Sequence, residues 1–307
     1  MFIRDRLTGG PPSISFEFFP PKSDEAAAQL ELTIAELGAL EPAFVSVTWG
    51  AGGSTREKTI DMVSRIKRET GIEAMAHLTC VGAGRAELGM ILDRLAAAGV
   101  KNILALRGDP PAGDTTFTPV KDGFRYASEL VAFTRQLHGH GFCVGGAAYP
   151  ETHIESANSR HDLDNLRKKV DAGLDFLITQ LFFDNRHYWD FVDRARAAHI
   201  EIPIIPGIMP ITNAAQVTRF TAQCGATLPH RLAAEIARRG EDRAAVQLLG
   251  VQHATAQCID LLGSGAPGIH FYTLNRSRAA QEIFTVLRAM SFPIAGPAAG
   301  KAASLAL

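Results

Sequence analysis

The stretch Ser13-Ile-Ser-Phe-Glu-Phe-Phe19 alternates side chains with the period of a β-strand whose two faces meet different surroundings. Ser13, Ser15, Glu17 and Phe19 fall on one face, and Ile14, Phe16 and Phe18 on the other. The second set suits a covering layer of helices. Glu17 is therefore expected to point into a closed sheet, close to its C-terminal mouth, where barrel enzymes place their active sites.

Working outward, seven more short apolar runs alternate with stretches of helical period: Phe44 to Trp49, Ala74 to Cys80, Asn102 to Arg107, Val144 to Tyr149, Phe176 to Phe182, Ile204 to Met209 and Ile269 to Leu274. With Ile14 to Phe19 they make eight βα units. The fold class expected is α/β, a (β/α)8 TIM barrel. Ser54 and Glu57 read as a capping box before a helix that places Ile60, Val63 and Ile66 on one face. The interval Thr212 to Gly263 is too long for one crossover, and Pro229 at a first turn predicts an extra helical segment between strands seven and eight. The barrel is expected over residues 1–292, with a frayed Pro-, Gly- and Ala-rich tail over 293–307.

Composition narrows the function classes. A 307-residue chain that is 46% hydrophobic can bury one large core, and barrels of about 250 residues fold as single domains. The 31 Lys and Arg nearly cancel the 32 Asp and Glu, so no broad field attracts nucleic acid or an anionic membrane. Four scattered cysteines and a start, Met1 to Pro12, without the apolar core of a signal peptide point to a cytoplasmic protein. No run reaches the roughly 18 apolar residues of a membrane span.

Polar residues gather at the strand C-termini: Glu17, Thr48, His77, Arg107 with Gly108 and Asp109, Tyr149 with His153, Gln180, and Asn275 with Arg276. Each has an ordinary structural reading. Glu17 could pair with Arg107, His77 could be a hydrogen-bonded core histidine, and Tyr149 and Gln180 could simply end strands. Seven strand ends together argue for a one-ended ligand site. Gly263-Ser-Gly-Ala-Pro-Gly268 matches a dinucleotide fingerprint in letters, but it precedes a strand instead of following one. His77 and Cys80, three apart on a strand, face opposite sides, so no protein metal site is expected.

Ser15-Phe-Glu-Phe-Phe-Pro-Pro21 resembles the opening signature of the methylenetetrahydrofolate reductase family. Further family-like blocks follow in order, among them Ala76-His-Leu-Thr-Cys80, Leu104-Ala-Leu-Arg-Gly-Asp109, Ala147-Ala-Tyr-Pro-Glu151, Ile205-Pro-Gly-Ile-Met-Pro210 and Phe271-Tyr-Thr-Leu-Asn-Arg276. Trp49 stands where many bacterial members have Tyr, next to a glycine-rich loop, Gly50 to Ser54.

The resemblance implies a flavin-dependent oxidoreductase. It would reduce 5,10-methylenetetrahydrofolate to 5-methyltetrahydrofolate with NADH or NADPH through bound FAD, by a ping-pong mechanism that supplies methyl groups for methionine synthesis. By the same resemblance Glu17 is the general acid and Asp109 the carboxylate near flavin and pterin. Gln180 hydrogen-bonds the folate, Gln216 and Phe220 contact the second substrate, and Arg276 lies near the folate. The flavin set carried over is Thr48, His77, Arg107, Gly108, Asp109, Tyr126, Tyr149, His153, Asp162, Asn165, Lys168 and Lys169. Arg107, Lys168 and Lys169 would supply the local positive charge for the FAD diphosphate. A homo-oligomer is what the family suggests. Two rivals stand beside this reading: a barrel hydrolase using His77, His153 and Asp109, and a non-catalytic folate- or flavin-binding subunit that needs a partner.

Overall fold

The structure, a computed structural model, describes residues 1–50, 55–110, 113–114 and 116–295. A short helix α1 (Arg4–Leu7) precedes β1 (Ser13–Phe18), and then strands and helices alternate: α2 (Asp24–Gly38), β2 (Phe44–Val47), α3 (Arg56–Thr70), β3 (Ala74–Thr79), α4 (Arg85–Ala97), β4 (Asn102–Leu106), α5 (Ala127–His138), β5 (Cys143–Ala148), α6 (Ser159–Asp171), β6 (Phe176–Thr179) and α7 (Asn185–Ala197). There follow β7 (Ile204–Ile205), β8 (Gly207–Ile208), three helices α8 (Ala214–Cys224), α9 (His230–Arg239) and α10 (Arg243–Gly263), then β9 (Gly268–Tyr272) and α11 (Arg278–Ala289). Every strand pair is parallel, and the order β7-β6-β5-β4-β3-β2-β1-β9-β8 closes the sheet into a (β/α)8 barrel.

The closure point corrects one expectation. The run Ile204 to Met209 is not a single strand: Pro206, which has no N–H to donate, separates β7, paired with β6, from β8, paired with β9. Its carbonyl accepts from the His270 N–H at 3.0 Å, so one run of chain serves both neighbours. A second correction concerns α3. Its N-cap is Thr55, with no side-chain capping bond, and Glu57 pairs across to Arg94 at 2.7 Å; Ser54 lies outside the described residues.

Period-two alternation sorts the core. Ile14, Phe16 and Phe18 join the apolar layer between sheet and helices, with Leu37, Val63, Leu92 and Leu177. Inside the barrel, Phe44, Met75, Leu104, Phe176 and Ile205 fill the N-terminal half, and α1 closes that end with Ile3 and Leu7. Ile3 N–H donates to Asn102 Oδ1 at 2.8 Å, and Arg4 pairs with Asp175 at 2.8 Å. The apolar plug fills most of the N-terminal half of the interior, with Asn102 among its few polar groups. The extra helical segment is real: α9 follows Pro229, which is its N-cap, and α8, α9 and α10 share a satellite core with Leu181, Phe183 and Ile211. Gly250 lets α10 approach, since a Cβ there would lie 1.8 Å from the Ile211 carbonyl oxygen. Ala295 is buried and bonded to Pro12, while positions 296–307 of the tail lie outside the described residues.

Candidate active site

The strand register brings Glu17 on β1 level with Ser46 on β2 and Tyr272 on β9. Glu17 is 6% exposed, and its Oε2 lies 3.4 Å from His77 Nε2 and 3.7 Å from His270 Nε2. His270 is fully buried, stacked on Phe44, with Nδ1 2.8 Å from the Ser15 hydroxyl. Ser15 Oγ also reaches the Ile269 carbonyl at 3.3 Å. A hydroxyl has one proton: when Ser15 donates to that carbonyl, Nδ1–H must donate to Ser15, and Nε2 is left as a bare acceptor facing the carboxyl. Ser15, His270 and Glu17 thus form a buried line along which a proton can be held. The alternative pairing of Glu17 with Arg107 is not found, because Arg107 forms a two-pronged ion pair with Glu155.

Burial lowers the His77 pKa from 6.5 to about 4, with His270 acting in the same direction and Glu17 against it. The folded protein therefore holds this imidazole neutral. An unfolded chain takes up its proton near 6.5, so stability falls as pH drops from about 6.5 toward 4. His77 alone should cost on the order of 2 kcal/mol between pH 7 and pH 5, and His153 and His253, also lowered by burial, act with the same sign. Urea unfolding at the two pH values measures this, and His77→Gln should flatten the dependence. An undiminished slope in that variant would show that His77 is not the source.

On the inner face of β3 two buried polar atoms, His77 Nε2 and Thr79 Oγ1, have no hydrogen-bond partner among the described residues, and Trp49 Nε1, in the layer between sheet and helices, has none either. Buried polar atoms are normally satisfied, so these point to an absent partner. Lys169 adds a charge. Its ammonium donates to the Ala147 carbonyl at 2.5 Å, and burial lowers its pKa to about 8, opposed only by Asp162.

The other expected residues divide into groups. Tyr149 packs edge-on to His153 at 4.5 Å, and His153 N–H donates to Asp162 at 3.2 Å. Burial pushes the Tyr149 hydroxyl up, with Asp109 adding to the effect; Asp109 itself is exposed beside Arg107. Lys168 bonds Asn165 on the exposed face of α6. Tyr126 is 55% exposed at the start of α5, and Gly108 follows β4 with a φ of +87°. Thr48 is buried at the end of β2. Tyr149 and Gln180 line one small cavity with Cys224, at the end of the helix α8 that carries Gln216 and Phe220. Arg276 lines another, with Tyr272, Thr273 and Gln247. His270, Tyr272 and Glu155 were missed as site residues by reading the sequence. The alternation that placed Glu17 also places His270 and Tyr272 inward, so two of the three were within reach.

Together the fold and the site define a (β/α)8 barrel in which a carboxyl and two imidazoles meet inside the sheet. Residues 2–288 match the family model described as Methylenetetrahydrofolate reductase, and the chain belongs to that family. It is 38% identical over 271 residues to the 5,10-methylenetetrahydrofolate reductase of Escherichia coli K12, covering 88% of this chain and 89% of that protein. It is 37% identical over 287 residues to methylenetetrahydrofolate reductase (NADH) 1 of Arabidopsis thaliana, covering 91% of this chain. The chain spans about half, 48%, of that plant relative's length. Among solved structures, a Clostridium thermocellum protein described as binding two copies of 5-methyl-5,6,7,8-tetrahydrofolic acid aligns with a TM-score of 0.62 at 15% identity, covering 94% of this chain and 98% of that one. At that identity the likeness speaks for the fold alone. Among the described residues no helix is long and apolar enough to cross a membrane.

Proposed function

We propose that this protein reduces 5,10-methylenetetrahydrofolate to 5-methyltetrahydrofolate, with NADH or NADPH as reductant and FAD as the resident cofactor. The observation that carries the reading is the Glu17 carboxyl, buried at the barrel mouth within 3.7 Å of two imidazoles. The bridging carbon of the folate accepts a hydride only after one C–N bond has opened to an iminium, which requires a proton on the departing nitrogen. Glu17 would deliver it. His270, held by Ser15, would orient the Glu17 carboxyl from its inner side, and the apolar plug below would keep bulk water from competing.

The residues present fit a flavin. The unsatisfied His77 and Thr79 atoms on the inner face of β3 would meet a hydrogen-bonding ring system, and Lys169 would suit a diphosphate. Bound flavin would supply the hydride carrier. In this chain Thr48, His77, Gly108, Asp109, Tyr149 and His153 would shape the ring end of its cradle, and Tyr126, Asp162, Asn165, Lys168 and Lys169 the ribityl and phosphate end. Arg107 joins the phosphate contacts only by releasing Glu155, whose half-exposed carboxylate can turn to solvent. Asp109, exposed at the rim, would favour the cationic iminium over its neutral precursor. Gln180 and Arg276 would bind the folate, and Gln216 and Phe220 on α8 would contact whichever substrate occupies the pocket. One mouth serving two substrates in turn gives ping-pong kinetics. A homo-oligomer of such barrels, acting in the cytoplasm, belongs to the same reading.

The test uses flavin-loaded protein under anaerobic conditions. NADH and NADPH should each be tried for bleaching of the flavin absorbance, and 5,10-methylenetetrahydrofolate should restore it with formation of the 5-methyl product. Parallel lines in double-reciprocal plots are expected. Flavin that is bound and reduced but never reoxidised by the folate would favour a binding subunit that works with a partner, and protein that retains no flavin would end the proposal.

A further inference from the structure

The β1–β9 ladder stops at the Glu17–Tyr272 pair, yet the edge of β1 stays hydrogen-bonded beyond it. Side chains take over where the backbone leaves. The Thr273 hydroxyl donates to the Glu17 carbonyl at 2.6 Å. The Asn275 side-chain oxygen accepts from the Phe19 N–H at 2.8 Å, and its amide donates to the Phe19 carbonyl at 2.9 Å. On the opposite edge the Thr48 N–H donates to the Phe18 carbonyl at 2.9 Å. An asparagine side chain is an amide, and here it stands in for the next peptide unit of the ladder.

To present it, the main chain turns through two consecutive left-handed residues, Leu274 with a φ of +52° and Asn275 with +58°. Asn tolerates that region, but for Leu it is uphill. Strain of this kind persists only where the surroundings over-determine it, and it concentrates at functional sites. Two bonds near the surface are modest stabilisers, because water competes for the same groups. They do little more than offset the strain, so stability alone does not account for the turn. What the turn does achieve is to fix the last peptide of β1, two residues from Glu17, and to deliver Arg276 immediately afterwards.

We propose that Asn275 is a positioning residue: its side-chain amide extends the β1–β9 ladder to Phe19 and so fixes where the Glu17 carboxyl stands relative to a substrate held at Arg276. The proposal rests on the folate-reducing function put forward above.

Two variants test it. Asn275→Gly suits the left-handed conformation at 275, leaves Leu274 as it is, and loses both side-chain bonds. Asn275→Asp still accepts from the Phe19 N–H, but its ionised second oxygen faces the Phe19 carbonyl. In both, nicotinamide-driven flavin reduction should stay at the parent value and the unfolding midpoint should drop only slightly, as expected for bonds near the surface, while hydride transfer to the folate slows by about 10- to 100-fold, the scale of a small misplacement in an active site. The loss should fall on the rate more than on the half-saturating folate concentration. Protonation of the new carboxyl restores a donor to the Phe19 carbonyl, so the deficit of Asn275→Asp relative to the parent should shrink at acid pH, and that of Asn275→Gly should not. A purely structural residue would depress both half-reactions and the midpoint together, with no pH difference between the variants, and that result overturns the proposal. So does a parent-like folate rate in Asn275→Gly. If the parent itself transfers no hydride to the folate, the functional reading has failed separately. Exchange of the Phe19 amide hydrogen then decides: faster exchange in Asn275→Gly supports the ladder, and unchanged exchange refutes it.

Discussion

Glu17→Gln is expected to leave flavin reduction by the nicotinamide intact and to slow the folate half-reaction by roughly 10²- to 10⁴-fold, the usual worth of a positioned general acid. The substitution is nearly isosteric, so the buried space between His77 and His270 stays filled. What it removes is the transferable proton. Gln can donate a hydrogen bond to His270 Nε2 but cannot release a proton to a departing nitrogen, and no other carboxyl lies within ion-pair distance of these imidazoles among the described residues. Flavin content should match the parent, because the proposed diphosphate contacts lie on α6, away from Glu17. Stopped-flow measurement of the two half-reactions on one preparation separates the outcomes. If both slow equally in a folded, flavin-loaded variant, the acid lies elsewhere.

Part of this candidate site is legible in the sequence, for reasons that differ from residue to residue. Strand alternation is a local, strict period, so one apolar set, Ile14, Phe16 and Phe18, was enough to turn Glu17 inward. The same rule reaches His270 and Tyr272, which alternate with the apolar Ile269 and Phe271 on the last strand. Pro206 carried its own warning: a residue without an N–H cannot sit unnoticed in a closed sheet, and the chain changes partners there. Arg107 is another matter. It lies past the end of β4, where alternation no longer governs, and its partner Glu155 comes from the loop after β5. No period links two loop residues 48 positions apart. The plug formed by α1 was equally hidden, because four residues are too few to show a helical period.

Gly207→Ala tests where fold and site meet, and it should be severely destabilising. A Cβ at this position would lie 2.3 Å from the Thr179 carbonyl oxygen and 2.6 and 2.7 Å from the ring carbon and hydroxyl of Tyr272. None of these neighbours is free to retreat. The Thr179 carbonyl already accepts from the Tyr272 hydroxyl at 2.6 Å, the Thr179 side chain accepts from the Gly207 N–H at 2.9 Å, and β8 is the short strand that closes the barrel against β9. Overpacking of a tight core costs about 1 to 3 kcal/mol, and more where backbone must move, so a loss of about 3 kcal/mol or more is expected, read as a lower unfolding midpoint in urea. The damage should also reach the chemistry. Tyr272 sits edge-on to His270 at 5.5 Å, and displacing its ring disturbs the imidazole that backs Glu17. The double variant Gly207→Ala with Tyr272→Leu frees the ring contacts but not the carbonyl contact, and should recover only part of the stability. Full recovery would mean that the ring was the whole obstacle. Parent stability and parent folate rates in the single variant would mean that the barrel does not close at Gly207 as described.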